Sequence, residues 1–367
     1  MVRGLTLLMV SLAAVPKPFV HAAPRQDCAP CHRAQALPQP STSMGRALET
    51  VAACEILIAH PHMTFRQGVY SYEIVREGER SLYKVTDGRE TVTVPIDWAF
   101  GLGAAGQTYV YQRNGRWYES RVSFYQKLQG LDMTIGALNT APSNVGEAAG
   151  RLMSVKDESD CFGCHATHAV HAGRLDAGHL TAGVQCERCH GDTTAHLNAF
   201  RTGGDMRRAA MRPLGQLSTE EMSDFCGQCH RTWSQIAMDG PHNINNVRFQ
   251  PYRLTNSKCY DTVDARIRCT ACHDPHRELE KNPAFYDSKC QACHAAQAKP
   301  AGASARRAVV CRVARKDCVT CHMPKYELPG SHNLFSDHRI RIVRPGEPYP
   351  EEAPHHKPLL RNRRYSC

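Results

Sequence analysis

Seven copies of the pentapeptide Cys-x-x-Cys-His constrain this 367-residue chain more than any other feature. They begin at Cys28, Cys161, Cys186, Cys226, Cys269, Cys290 and Cys318, and they use 14 of the 18 cysteines. The starts are separated by 133, 25, 40, 43, 21 and 28 residues, too irregular for a repeated supersecondary unit. What repeats is a site. One copy stands alone near the N-terminus, and six crowd into residues 161–322.

Two thiols three residues apart, with a histidine directly after them, suit one chemistry above others. The thiols add across the two vinyl groups of haem, and the imidazole then meets the iron from one face. Zinc sites also use Cys-x-x-Cys pairs but do not require a histidine after each one. Thioredoxin-like pairs occur once or twice in a βαβ context, and a disulfide framework shows no trailing histidine. The motifs therefore predict seven covalently bound haems c. Their thioether cysteines are Cys28 and Cys31, Cys161 and Cys164, Cys186 and Cys189, Cys226 and Cys229, Cys269 and Cys272, Cys290 and Cys293, and Cys318 and Cys321. The proximal iron ligands are His32, His165, His190, His230, His273, His294 and His322.

Twelve further histidines lie beyond residue 22, enough to close the second face of every haem: His60, His62, His168, His171, His179, His196, His242, His276, His332, His338, His355 and His356. His276, three residues after His273, cannot reach round the porphyrin of its own haem and is placed to ligate a neighbour. His196, six residues past His190, invites the same argument. His332 and His338 follow the last motif, where no further haem needs a proximal ligand. These four are the expected distal ligands, the other role open to them being a hydrogen bond to a propionate. His62, His171, His179 and His242 form a second set of candidates, and His355 and His356 lie in a Pro-rich tail expected to face solvent. Met44 is a candidate thioether ligand for the first haem, whereas Met323, directly after His322, cannot be the sixth ligand of that haem. The distal ligand of the first haem stays open, which makes that site the expected place for any open or variable haem. Among the remaining cysteines, a Cys259–Cys311 disulfide would bracket motifs five and six; Cys54 and Cys367 pair, stay free or link chains.

The N-terminus bears on the compartment. Arg3 precedes an apolar stretch from Leu5 to Val15, and Val20-His21-Ala22 fits the small-residue cleavage rule, so cleavage after Ala22 is expected. Eleven apolar residues cannot span a bilayer, and no later segment is long enough to do so; an uncleaved anchor is the alternative. The mature protein is expected to be exported, to the periplasm or the outer surface, where cysteines meet oxidising conditions. The formal net charge is +10, and removal of Arg3 and Lys17 with the signal leaves +8. Each ferric haem with ionised propionates adds roughly −1 and each ferrous haem roughly −2, bringing the loaded protein to roughly +1 oxidised and −6 reduced. The basic residues thus read as counter-charge for propionates, and no nucleic-acid motif accompanies them.

Aromatics make up 7% of the chain and the mean hydropathy is −0.46, a thin supply of large core side chains for this length. The expected architecture is mainly α and irregular, with haem forming the core and a small antiparallel β-module inserted after the first motif. Its parts are a signal peptide (1–22), a first haem-binding segment (23–62), the β-module (63–135), a six-haem cytochrome domain (136–345) and an extended basic Pro-rich tail (346–367). The β-module is carried by alternation in Val69–Val75, β-branched residues in Glu90–Val94, and hairpin turns at Asp87-Gly88 and Asn114-Gly115. Its expected role is a scaffold or lid over the first haem. Short helices are expected around Arg207–Leu217 and Ser218–Cys226, the second opened by a Ser218/Glu221 capping box. Gly101-Leu102-Gly103-Ala104-Ala105-Gly106 satisfies the dinucleotide fingerprint, but a strand and not a helix follows it, so it reads as a glycine turn.

Several of these segments resemble a known family. Cys-Glu-Arg-Cys-His-Gly with a histidine six on (186–196), Cys-Thr-Ala-Cys-His-Asp-Pro-His (269–276), Cys-His-Met-Pro-Lys (321–325) and Asp-His-Arg-Ile-Arg (337–341) are similar to exported bacterial multihaem cytochromes of the tetrahaem cytochrome c and hydroxylamine-oxidoreductase class. The resemblance covers roughly residues 161–345. It implies stacked, mostly bis-histidine haems used for electron transfer, with His196, His276, His332 and His338 as distal ligands. The chain lacks the Cys-x-x-Cys-Lys motif of the nitrite-reductase members, and no tyrosine cross-link site of the oxidoreductase kind is identifiable. The expected function is electron transfer along an array of haems, with redox proteins or a quinol-oxidising membrane complex as partners. The alternative is a reductase or oxidase of a small nitrogen or sulfur compound at one open haem; an excess of histidines favours the first.

Overall fold

The computed structural model describes residues 28–295, 310–344 and 346–350. The expected signal peptide, His355, His356 and Cys367 lie outside these residues. After the first motif come α1 (Arg33–Ala36), β1 (Leu48–Thr50) and α2 (Glu55–Ala59). Strands then dominate: β2 (His62–Gln67), β3 (Tyr70–Glu77), β4 (Arg80–Thr86), β5 (Thr91–Pro95), β6 (Trp98–Phe100), β7 (Gln107–Arg113), β8 (Arg116–Tyr125) and β9 (Gly130–Met133). Helix α3 (Val145–Ala149) and β10 (Gly150–Leu152) complete this part.

These strands form two antiparallel sheets. One is the meander β2-β3-β4-β5; the other runs β1-β6-β7-β8-β10, with β9 also paired to β8. The turns at Asp87-Gly88 and Asn114-Gly115 connect β4 to β5 and β7 to β8, with both glycines at positive φ. The inward side chains of both sheets, among them Tyr72, Ile74, Tyr83, Val85, Tyr109, Tyr111, Val122, Phe124 and Leu131, form one buried core. Strand content therefore extends from Leu48 to Leu152, beyond the 63–135 span the turn signals delimit, because β1 and β10 complete the second sheet from either end. Gly101, Gly103 and Gly106 all have positive φ and lead into β7, the glycine turn expected of that segment.

The haem-motif region begins with α4 (Val155–His165), opened by a capping box between Ser154 and Asp157. Short ladders β11 (Ala166–Thr167), β12 (Val170–His171), β13 (Arg174–Leu175) and β14 (Thr181–Ala182) follow. Helices α5 (Cys186–His190), α6 (Thr194–Thr202), α7 (Thr219–His230), α8 (Trp233–Asp239), α9 (Gln250–Thr255), α10 (Cys269–Cys272), α11 (Asp287–His294) and α12 (Cys318–His322) come next, then the hairpin β15 (Lys325–Glu327) and β16 (Leu334–Ser336). The Ser218/Glu221 capping box opens α7. The helix expected at Arg207–Leu217 is reduced to a 3-10 turn at Leu214–Gln216 preceded by Pro213, which disfavours helix in the residue before it.

The β-module meets the second motif. Phe162, the first variable residue of Cys161-Phe162-Gly163-Cys164-His165, is fully buried among Trp98, Phe100 and Trp117, its ring 6.3, 4.9 and 5.5 Å from theirs. Leu48, Val110, Met153 and Leu180 complete this second cluster. The outer face of the second sheet is thus a platform for motif two, a contact the expectation of a lid over the first haem did not include.

Candidate haem-binding sites

Six of the seven motifs lie within helix or at a helix C-terminus, in α4, α5, α7, α10, α11 and α12. On a helix, residues three and four apart are neighbours on one face. Local helix formation therefore turns both thiols and the imidazole of each motif toward the same space. None of the fourteen motif cysteines is in a disulfide.

The imidazoles are prepared for metal binding in two ways. Burial lowers the pKa of His165, His190, His230 and His273, which keeps them neutral, the form a metal takes. Backbone carbonyls hold the far ring nitrogen: His165 Nδ1 lies 2.9 Å from Ala47 O and His322 Nδ1 2.8 Å from Arg341 O. Such bonds fix the tautomer and leave Nε2 for the iron.

Three histidine pairs carry the site geometry. The ring centres of His32 and His196 are 6.3 Å apart, those of His190 and His276 6.2 Å, and those of His273 and His338 6.2 Å. Two imidazoles on one metal, each bound at roughly 2 Å, hold their ring centres roughly 6 Å apart. Each pair joins a proximal histidine to one expected as distal. Two of the three distal candidates have the far nitrogen held, His276 Nδ1 by Asp274 at 3.1 Å and His338 Nδ1 by Ser336 O at 3.0 Å, whereas His196 Nδ1 is buried without a partner. Burial, first among the causes, pushes the pKa of His338 down to about 4.

The first motif thus has an imidazole opposite His32, which removes the reason to single it out as the open site. The chain after it is strapped to the entry of motif three: Val184 N donates to Met44 O at 3.0 Å, and Gln185 Nε2 to Gly45 O at 3.0 Å. A Cβ at Gly183, where φ is +76°, would sit 1.8 Å from Gly45 O, so only glycine permits this approach.

Other candidates lie elsewhere. His332 Nε2 is 2.7 Å from Asp132 Oδ2, and its ring meets Tyr125 edge-on at 4.8 Å, so it bridges β9 to the C-terminal hairpin. His62 Nε2 pairs with Glu73 at 2.8 Å on the outer meander, and exposed His179 pairs with Asp176 at 2.8 Å. His171 is exposed on β12, and His242 precedes the 3-10 turn at Asn243–Asn246. Cys259 and Cys311 are exposed free thiols, not joined to each other. Cys54 is fully buried, its Sγ 3.3 Å from Gln107 Oε1.

The surroundings fit haem more closely than a bare ion. Among the described residues, no group of three or more His, Cys, Asp or Glu is disposed to hold a metal ion. Arg248 keeps a buried Nε without a partner, the kind of donor a propionate would satisfy. Sequence reasoning missed Arg248, whose burial depends on the fold of the 247–254 segment.

Three comparisons bear on these sites. The family described as cytochrome c554 and c-prime matches residues 123–191, which include motifs two and three. The multiheme cytochrome MtrA of Shewanella baltica (strain OS185) is 25% identical over 183 residues, covering 47% of this chain and 47% of that protein. The chain therefore matches about half the length of that curated relative. The crystal structure of the outer cell wall cytochrome OcwA aligns with 88% of this chain and 80% of its own at 14% identity, with a TM-score of 0.49. Among the described residues, no helix is long and apolar enough to cross a membrane.

Proposed function

We propose that the chain, a multihaem c-type cytochrome by its motifs, family match and curated relative, holds seven haems c and carries electrons along them. The observation that carries this reading is the set of three histidine pairs at 6.2 to 6.3 Å. The fourteen motif cysteines anchor the cofactors, the seven motif histidines are proximal ligands, and His196, His276 and His338 are distal ligands for motifs one, three and five. Haem bound there supplies reversible one-electron chemistry at iron. The chain's part is to hold neutral imidazoles on both faces, keep water from the iron and set neighbouring motifs in contact.

The similarity of residues 161–345 to the tetrahaem cytochrome c and hydroxylamine-oxidoreductase class supports the same reading. An exported location accords with the N-terminal segment and with chemistry that needs stable thioethers. Motifs two, four, six and seven complete the array with ligands from the remaining histidines.

The test is substitution of a distal ligand. His276→Ala should leave seven haems attached and turn one of them from low-spin to high-spin in the ferric electron paramagnetic resonance spectrum. A spectrum identical to that of the parent protein contradicts the assignment of His276.

A further inference from the structure

We infer that the surface beside Cys321, formed by residues 311–316 and Lys325, is the docking face for an acidic redox protein. This rests on the electron-transfer reading above.

Contacts between motifs order the array. Cys164 Sγ lies 3.6 Å from Gln228 O within motif four, and the sulfurs of Cys226 and Cys269, and of Cys290 and Cys318, are neighbours. Motif two therefore adjoins four, four adjoins five, and six adjoins seven. The histidine pairs link motif one to the segment after motif three, and motif three to the segment after motif five. The ring of His273 meets that of Tyr286, the residue before α11, edge-on at 5.8 Å, joining five to six. By the same rule the His273–His338 pair links motif five to the segment after motif seven, so motif seven adjoins both five and six.

Exposure sets motif seven apart from most of the others. Of the fourteen motif cysteines, Cys31 and Cys321 are exposed and the other twelve are half-buried. The two exposed positions belong to motifs one and seven.

The surface beside motif seven has the chemistry of a docking face. Val313 is 94% exposed and sits among exposed Arg312, Arg315 and Lys316, with exposed Lys325 three residues past His322. Asp317 is the acidic neighbour in the segment, and exposed Glu327 is paired with Lys127 at 3.9 Å. An apolar centre with a charged rim is the composition of a protein-docking patch, and its sign selects an acidic partner. The patch is also held in place. Gln291 Nε2 donates to Arg315 O at 2.9 Å, and the Asp287 carboxylate accepts from the backbone N–H groups of Asp317 and Cys318, each at 2.9 Å. These bonds clamp the basic segment onto α11 and α12.

The experiment follows reduction of the full-length oxidised holoprotein by a reduced acidic ferredoxin in a stopped-flow instrument. The triple variant Arg312→Glu, Arg315→Glu, Lys316→Glu is compared with a control triple on the outer meander, Arg66→Glu, Arg80→Glu, Arg89→Glu. With haem content equal to that of the parent, the first variant should be slowed by about tenfold or more at low ionic strength, with the difference vanishing at high salt. The control should match the parent. An unslowed first variant, or equal slowing in both, overturns the docking face while leaving the electron-transfer reading intact. A parent protein that accepts no electrons overturns both.

Discussion

Outside the motifs, Cys54 and Cys311 sit in opposite surroundings, and their reactivity follows. Burial pushes the Cys54 thiol up to about 11, whereas backbone N–H groups of Ala314 and Val313 lower that of exposed Cys311. The thiolate is the reactive form. In the native holoprotein at pH 8, iodoacetamide should label Cys311 readily and Cys54 only after denaturation, as peptide mass mapping would read. Labelling of Cys311 that requires prior reduction would instead report the Cys259–Cys311 disulfide. The linkage has a definite sign: a raised folded-state pKa contributes stability below the unfolded value of about 8.5, lost as pH rises toward 11.

A second residue-scale feature lies beside His338. Arg253 grips Asp337 with Nε and Nη2 at 2.8 and 3.0 Å, both side chains fully buried, and Arg341 Nη1 adds a contact at 2.7 Å. Burial alone would raise the Asp337 pKa, but the hydrogen bonds and charge of Arg253 outweigh it and hold the group below the usual range. This contribution is present above the unfolded value of about 3.9 and is lost as pH falls through the folded value. Arg253→Met should destabilise by about 3–5 kcal/mol in denaturant titration, because it leaves a buried carboxylate without its partner. Asp337→Asn placed in that background should recover part of the loss. A cost under about 1 kcal/mol would show the pair to be dispensable.

Elements show where sequence reading succeeds. The capping box at Ser218, the glycine turn at 101–106 and the hairpins at Asp87-Gly88 and Asn114-Gly115 were legible because each depends on a few adjacent residues. The helical setting of six motifs was not legible in the sequence, which shows little periodicity there. The seating of Phe162 was not legible, since its aromatic partners lie on strands well before it in the chain. It makes a measurable prediction: Phe162→Ala should cost about 3–5 kcal/mol in unfolding free energy, the usual range for emptying a fully buried aromatic site. A loss no larger than that of an exposed Phe200→Ala control would contradict the platform role of the second sheet. His332 shows the same limit differently. Its place after the last motif marked it as a distal ligand, but Asp132, two hundred residues earlier, holds its ring.

At the scale of the whole molecule, the number of motifs is legible in the sequence, and their arrangement is not. Cys-x-x-Cys-His is a local code, whereas the partners of His32, His190 and His273 are chosen by packing between distant segments. The clearest instance is the first motif: no neighbour in sequence offers an obvious second ligand, and folding brings His196 to it. Half of the 26 aromatic residues lie in the β-module or at Phe162, so the longer motif region is the poorer in them. The motif region is left with short helices, buried imidazoles and neighbouring motif cysteines, an interior that the proposed haems would complete.

The central claim is most directly tested by the intact mass of the purified protein under denaturing, reducing conditions. Thioether-bound haem survives such treatment, whereas ligated metal and disulfides do not. The account predicts a mass equal to the mature chain plus seven haems. A mass matching the bare polypeptide, or one carrying fewer than seven haems, would contradict it.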